Sequence, residues 1–254
     1  MAEEISLPIL IVVGLALLLV YLYIASLERV YEKIGFTRRE AGAILTLTLI
    51  FGWLTVPVFP YGDWWVGISI GGALIPVIVC GYLLRSRRVG LAEGVIGVVI
   101  VATITYFITR AEPGVGIVAD LELAFAPAVA AAFYSVSVFW VDITKAAPIA
   151  YVSGVLGTLI GADVFHIQDI LSTTPPLGER VVLSVGGANI FDMVYLSGVV
   201  AVMLDIIIYW VQRQRVKRGV FRVAHELETQ TAGLRYAKDL APAPTLRPGR
   251  RGRL

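Results

Sequence analysis

Two aspartates are the residues best placed for chemistry in this sequence. Asp163 and Asp192 each lie in a stretch dominated by Gly, Ala, Val, Ile and Leu. A charged side chain at the centre of a membrane-spanning helix costs about 2.5–3.5 kcal/mol on insertion scales. Because that cost must be offset, carboxylates in apolar spans typically belong to sites for protons, ions or substrates.

Glycines precede both aspartates. Asp163 follows Gly157 and Gly161, and the second aspartate follows Gly186 and Gly187. Glycine allows two helix backbones to approach closely. On adjacent antiparallel helices, both carboxylates would lie ~5–6 Å below the outer membrane edge. We therefore expect the two carboxylates to face each other at one depth.

Two further polar residues share these predicted helix faces. His166 follows Asp163 by three residues, and Asn189 precedes Asp192 by three, a spacing that places side chains on one side of a helix. Only one cysteine and two histidines occur in the chain. The second histidine, His225, is expected on the opposite side of the membrane. We therefore predict neither a metal site nor a cofactor.

Three functions fit such an acidic pair. With His166 and freed backbone carbonyls, the carboxylates could bind a cation or proton for transport, which is the function we favour. Held within ~3–4 Å, they could share a proton and act as the catalytic residues of an intramembrane aspartyl hydrolase. In a structural role, Asp163 and Asp192 would cap helix ends or bind the backbone at the glycines of a non-catalytic scaffold.

The amino-acid composition predicts the environment of Asp163 and Asp192. Of 254 residues, 57% are hydrophobic and 16% are charged, whereas soluble domains carry about 25% charged residues. A span needs about 20 apolar residues. Seven segments approach that length, which predicts an all-α, polytopic transmembrane helix bundle. They are residues 5–25, 41–59, 65–84, 90–109, 125–141, 148–167 and a last span ending at Trp210.

The last predicted span begins at either Val181 or Asn189. Starting from Val181 it would be ~45 Å long, which exceeds the thickness of a hydrocarbon core. We therefore expect a break or a strong tilt at residues 186–189.

The chain divides into a bundle, residues 1–211, and a basic cytoplasmic tail, residues 212–254. The last 43 residues hold eleven of the 21 Lys and Arg residues. Such a tail is expected to be partly disordered and to bind anionic lipid. No aromatic residue is interleaved with the arginines after Ala241, so nucleic acid is not an expected partner.

One short sequence occurs twice. Residues 69–73 (SIGGA) recur as residues 184–188 (SVGGA), so the second and third predicted spans resemble the sixth and seventh. Parallel repeats occur in some transporters, whose sites form at glycine-interrupted helices. The repeat would add four residues with exposed backbone to the site: Gly71, Gly72, Gly186 and Gly187.

The same glycines also suit simple helix packing. Gly67 with Gly71, and Gly157 with Gly161, have the GxxxG spacing that brings helices together within one chain or between chains. An oligomer could therefore form through these faces.

Several segments together resemble a known family. They are residues 66–76 (VGISIGGALIP), 113–117 (PGVGI), 150–154 (AYVSG), 157–163 (GTLIGAD), and 186–188 (GGA) with 191–192 (FD). The chain resembles an uncharacterised family of prokaryotic polytopic membrane proteins, domain of unknown function 1614, from about Gly42 to Met203. The resemblance implies a multi-pass protein of a prokaryotic cell membrane, with no established activity.

The chain departs from that family pattern at five positions. Asn189 and Ile190 replace Gly-Thr, Met193 replaces a common glycine, and Ser69 and Thr55 replace asparagine. Both carboxylates are retained. The second break is stiffer than usual, because asparagine and isoleucine are less permissive than glycine.

A looser similarity links the chain to the GxGD intramembrane aspartyl proteases, which pair an aspartate on each of two consecutive helices. Here residues 161–163 (GAD) lack the second glycine, and Asp192 has its glycines five and six residues upstream. No Pro-Ala-Leu occurs on a later helix. The similarity is an analogy.

Loop charges predict the orientation. Lys and Arg cluster after the first, third and seventh predicted spans, whereas the opposite ends are mostly acidic. By the positive-inside rule, the N-terminus lies outside and the C-terminus inside. A reporter fused after Leu254 should be active only in the cytoplasm, and activity confined to the outside would reverse the orientation.

Overall fold

The computed structural model describes residues 7–62, 64–112, 116–140, 142–172, 181–187 and 192–240. Contacts divide the chain into two units, residues 1–209 and residues 210–254. Both aspartates belong to the first unit.

The described chain is mostly helical, as predicted. The α-helices are α1 (Leu7–Ile34), α2 (Arg38–Phe51), α3 (Ile75–Arg85), α4 (Leu91–Ile108), α5 (Ala126–Val138), α6 (Ile143–Thr158), α7 (Phe165–Leu171) and α8 (Met193–Leu240). Two π-helical turns complete them. The first π-turn, Ile70–Leu74, precedes α3, and the second π-turn, Leu159–Val164, joins α6 to α7.

Four helical segments are long and apolar enough to cross a membrane. They are Ile11–Ile34, Leu91–Ile108, Ile143–Leu171 and Met193–Arg218. The segment Ile143–Leu171 is mostly buried inside the protein, whereas α1 is mostly exposed. These segments support a membrane protein built around α6. The count of seven spans and their orientation stay predictions.

The second predicted span, residues 41–59, is wrong in its C-terminal part. Helix α2 ends at Phe51, and Thr55–Tyr61 forms strand β1, which pairs antiparallel with β2 (Trp64–Ser69). Pro57 would remove a helical hydrogen bond and clash with the preceding turn, whereas an edge strand accepts proline. The all-α prediction therefore needs correcting here: a small sheet accompanies the helices.

A third strand joins this sheet from far along the chain. Strand β5 (Val181–Val185) pairs in parallel with β2, with Trp64 opposite Val181 and Ile68 opposite Val185. The strand order is β1-β2-β5. Its valine-rich sequence favours a strand. The long version of the seventh span, which starts at Val181, is therefore wrong, and α8 begins only at Met193.

A separate hairpin connects α4 to α5. Strands β3 (Thr109–Glu112) and β4 (Gly116–Ala119) pair antiparallel, with Thr109 opposite Ala119. This hairpin also falls outside the all-α prediction.

The two copies of the repeated sequence are out of register in the sheet and continue differently. Strands β2 and β5 pair in parallel, but Ser184 of the second copy lies opposite Gly67, which precedes the first copy. After Ser69 the chain enters the first π-turn, whereas Gly186 and Gly187 adopt left-handed φ values of +87° and +66°. A structural repeat of helix pairs stays a prediction.

Glycines bring α4 and α6 into close contact. A Cβ atom at Gly157 would lie 2.5 Å from Cβ of Val101. A Cβ atom at Gly161 would overlap the carbonyl oxygen of Ala102 and lie 2.7 Å from Cβ of Thr105. The same chain therefore fills this GxxxG face. Gly67 lies in strand β2, so the other GxxxG pair is not a helix face.

We expect Gly161→Ala to destabilise the protein. The added methyl group would push against backbone of α4, and overpacking typically costs about 1–3 kcal/mol. Gly81→Ala is the matched control, because Gly81 lies in α3 with no atom within 4 Å of the added Cβ. Thermal unfolding in detergent micelles should give a lower midpoint for Gly161→Ala alone. Equal midpoints would contradict the close contact between α4 and the second π-turn.

Candidate functional site: a carboxylate-lined cavity

Asp163 lies where the central helix is distorted. The second π-turn, Leu159–Val164, interrupts the membrane-spanning segment just before α7. Such turns are rare and often occur at functional sites, because they disturb the regular hydrogen-bond ladder of the helix. Asp163 is 8% exposed. The distortion therefore presents a carboxylate inside the protein.

The Asp163 carboxylate holds the end of strand β5. The backbone N–H of Gly186 donates to Oδ2 of Asp163 across 2.6 Å. Gly186 can present this N–H because its left-handed conformation is readily adopted only by glycine. The contact joins the distorted helix to the sheet.

Asp192 caps the last helix. Its Oδ2 accepts a hydrogen bond of 3.0 Å from the backbone N–H of Val194, in the manner of an N-cap residue. A Cβ atom at Gly187 would overlap this carboxyl group, with Oδ2 at 2.6 Å. Glycine at position 187 therefore leaves the space that the Asp192 side chain occupies.

Both carboxylates line one cavity of about 490 Å³. Asp163 and Asp192 interact electrostatically across it. In the described part of the chain, no hydrogen bond joins the two side chains. The remaining walls come from strand β2, the β3–β4 hairpin and the segment after it, the second π-turn, strand β5 with Gly187, and the start of α8. In that order, the lining residues are Trp64; Thr109, Gly116, Ile117, Val118, Ala119 and Ala124; Ala162; Val182, Leu183, Ser184 and Gly187; and Met193 and Val194.

His166 does not line the cavity. Its ring stacks on Tyr106 with centroids 4.8 Å apart, and its Nδ1 lies 3.1 Å from Oδ2 of Asp169. The predicted face shared with Asp163 assumed a regular α-helix. Asp163 lies within the second π-turn and His166 follows in α7, so the two side chains do not share a regular α-helical face. Asn189, the other polar neighbour, lies outside the described residues.

The predicted backbone glycines divide into two groups. Gly187 lines the cavity. Gly71 packs on Gly52, where an added Cβ would lie 2.5 Å from Cα, and an added Cβ at Gly72 would overlap the carbonyl oxygen of Gly186. Gly71 and Gly72 therefore pack the first π-turn against its neighbours instead of lining the cavity.

A comparison with known proteins identifies the family of this chain. A family model described as a protein of unknown function (DUF1614) matches residues 36–204, which is more than half of the chain. The chain belongs to this family. No curated protein and no solved structure matches it. The match to DUF1614 confirms the resemblance seen in the sequence and includes both aspartates.

Two features of this DUF1614 protein were missed in the sequence. Strand β5 and hairpin β3–β4 form cavity walls, although both lie in segments expected to be helical or looped. Asp205 is fully buried next to Ser135. The sequence feature that could have indicated this buried contact is Ser135, a polar residue among the alanines and valines of α5.

Metal binding by this DUF1614 protein has no support in the residues that the structure describes. Within those ranges, no three His, Cys, Asp or Glu side chains come together as a metal-binding group. The cavity offers two carboxylates, which suits a proton or a weakly held cation better than a tightly chelated metal.

Gly187→Ala should displace the Asp192 carboxylate. Alanine at a left-handed position costs roughly 1–2 kcal/mol by itself. Gly62→Ala controls for that cost, because Gly62 has a φ of +58° and no atom within 4 Å of an added Cβ. Thermal unfolding should show a larger loss for Gly187→Ala than for Gly62→Ala. Similar losses would mean that the Asp192 side chain does not depend on Gly187.

Proposed function

We propose that this DUF1614 protein is a membrane transporter or an ion- or proton-coupled translocator. Asp163 and Asp192 form its binding site. The observation that carries the proposal is the single cavity lined by both carboxylates, beside the distortion of a candidate membrane-spanning helix.

The charge of the cavity favours a positive ligand. Among the described residues that line it, none is Lys, Arg or His. Two ionised carboxylates sharing a partly apolar cavity repel each other and lose hydration. Binding a proton or a cation offsets both costs. The cavity therefore selects against anions.

The hydrogen bonds position both carboxylates at the cavity. Backbone N–H groups bind Oδ2 of Asp163 and Oδ2 of Asp192, and these bonds fix both side chains in place. Both carboxyl groups line the cavity, where a ligand would meet them. At about 490 Å³ the cavity is as large as many small-molecule sites, so a hydrated cation or a small cationic solute would fit.

The backbone around the site also resembles that of transport sites in general. Transporters commonly bind ions and substrates where helices are interrupted, because freed backbone groups then face the ligand. Here the interruption is the second π-turn on one side and the Gly186–Gly187 bend before α8 on the other. Movement of either could change access to the cavity.

An intramembrane aspartyl hydrolase is the alternative. One observation favours it: Asp163, within one candidate membrane-spanning segment, and Asp192, just before the next, line a common cavity. A shared-proton pair would need the carboxylates within ~3–4 Å. Each carboxylate accepts a backbone N–H hydrogen bond, which stabilises a charged carboxylate rather than a shared proton, and this is the reason for ranking transport first.

The test uses purified protein in proteoliposomes that contain a pH-sensitive dye. Proton flux is followed under an imposed pH gradient, with Na⁺ or K⁺ on either side. Asp163→Asn and Asp192→Asn should each lower flux at least ~10-fold, equivalent to ~1.4 kcal/mol. The amide introduced by Asp163→Asn retains an oxygen for the N–H of Gly186, so folding should survive. Asp169→Asn is the control, because this exposed carboxylate lies outside the cavity.

Unchanged flux in both variants would remove the translocation proposal. The same preparation then distinguishes the alternatives. Cleavage of model transmembrane helices, with thermal protection by an aspartyl transition-state analogue, would indicate a hydrolase. If the double variant Asp163→Asn/Asp192→Asn keeps every activity and phenotype, the two aspartates have a structural role only.

A further inference from the structure

A third buried aspartate lies away from the cavity. Asp205 follows Asp192 by thirteen residues on α8, about 20 Å along the helix. It is completely buried, at 0% exposure. It does not line the cavity, so the proposed translocation site does not use it.

One hydroxyl group is the hydrogen-bond partner of this carboxyl group. Oγ of Ser135, on α5, lies 2.8 Å from Oδ2 and 3.0 Å from Oδ1 of Asp205. The same Oγ lies 2.9 Å from the carbonyl oxygen of Ala132, one turn earlier on α5. Ser135 therefore stands between a carboxyl group and a backbone carbonyl group.

Counting protons distinguishes the two states of Asp205. A serine hydroxyl group has one hydrogen and two lone pairs. If Asp205 is ionised, Ser135 can donate to the carboxylate or to Ala132, but not to both. If Asp205 is protonated, its O–H donates to Ser135, and Ser135 donates to Ala132. Only the protonated state lets Ser135 form hydrogen bonds with Asp205 and with Ala132 at once.

The charged surroundings also favour the protonated state. No cationic side chain pairs with Asp205 among the ion pairs of the described residues. The nearby titratable groups are the phenol of Tyr209, which donates to the carbonyl of Phe139, and the carboxylate of Asp142. The cation of Lys145 lies 4.0 Å from Oδ2 of Asp142. A buried carboxylate without a cation is strongly disfavoured, so a proton is the simplest neutralising ligand.

We propose that Asp205 and Ser135 form a second proton-binding site, in which Asp205 is protonated at neutral pH and donates to Ser135. The site is separate from the Asp163–Asp192 cavity and does not depend on what that cavity binds. If protons cross the protein, Asp205 provides a second position for them between α5 and α8.

Infrared spectroscopy of the full chain in lipid tests this site. At neutral pH the wild-type protein should show a C=O stretching band of a protonated carboxyl group. Asp205→Asn should remove the band component of one carboxyl group. Ser135→Ala should keep the component and shift it to higher frequency, because the carboxyl group loses its acceptor. Asp142→Asn, which changes an exposed carboxylate, should leave it unchanged.

Two results would overturn the site: an unchanged protonated-carboxyl band in Asp205→Asn, or loss of an ionised-carboxylate band instead. The Ser135→Ala variant retains the aspartate. The frequency shift expected for it therefore tests the same contact even if Asp205→Asn folds poorly. Failure here is distinguishable from failure of the translocation site. Flux can depend on Asp163 whether or not Asp205 carries a proton.

Discussion

The hydrogen bond from Gly186 to Asp163 connects the two parts of the fold that make the site. On one side is the central helical segment, distorted by a π-turn. On the other is strand β5, whose position in the sheet places Gly187 and then Asp192. A buried carboxylate and a buried N–H are both costly when unpaired, and each satisfies the other. The cavity exists because this contact holds the strand end against the helix.

Irregular backbone is unusual in a membrane protein, and here its polar groups are paired internally. Lipid offers no hydrogen bonds, so non-helical backbone survives only where protein satisfies it. Strand β2 pairs on both sides, with β1 and with β5. Strand β1 carries Pro57 and Pro60 at the edge of the sheet, where a missing N–H costs least. The sheet thus supplies cavity walls without leaving β2 unpaired.

The buried carboxyl groups of this protein have contrasting environments. Asp163 and Asp192 accept backbone N–H groups and share a cavity. Among the described residues, the hydrogen-bond partner of Asp205 is a serine hydroxyl group, which can itself accept. A backbone N–H group can only donate a hydrogen bond, whereas a serine hydroxyl group can donate or accept one. The two proposals made for these aspartates rest on this difference between their hydrogen-bond partners.

The sequence by itself determined the membrane character, the family and the two aspartates that share a cavity, because composition and local spacing carry these features. It also indicated the interruption before α8, through Gly186 and Gly187. Tertiary structure decided what surrounds them. The parallel pairing of β2 with β5 joins segments more than 100 residues apart, which no local pattern encodes. Asp163 lies within the second π-turn, so it does not share a regular α-helical face with His166, and packing between α5 and α8 buried Asp205. Pairing across the chain and distortion within a helix depend on partners that are distant in the sequence.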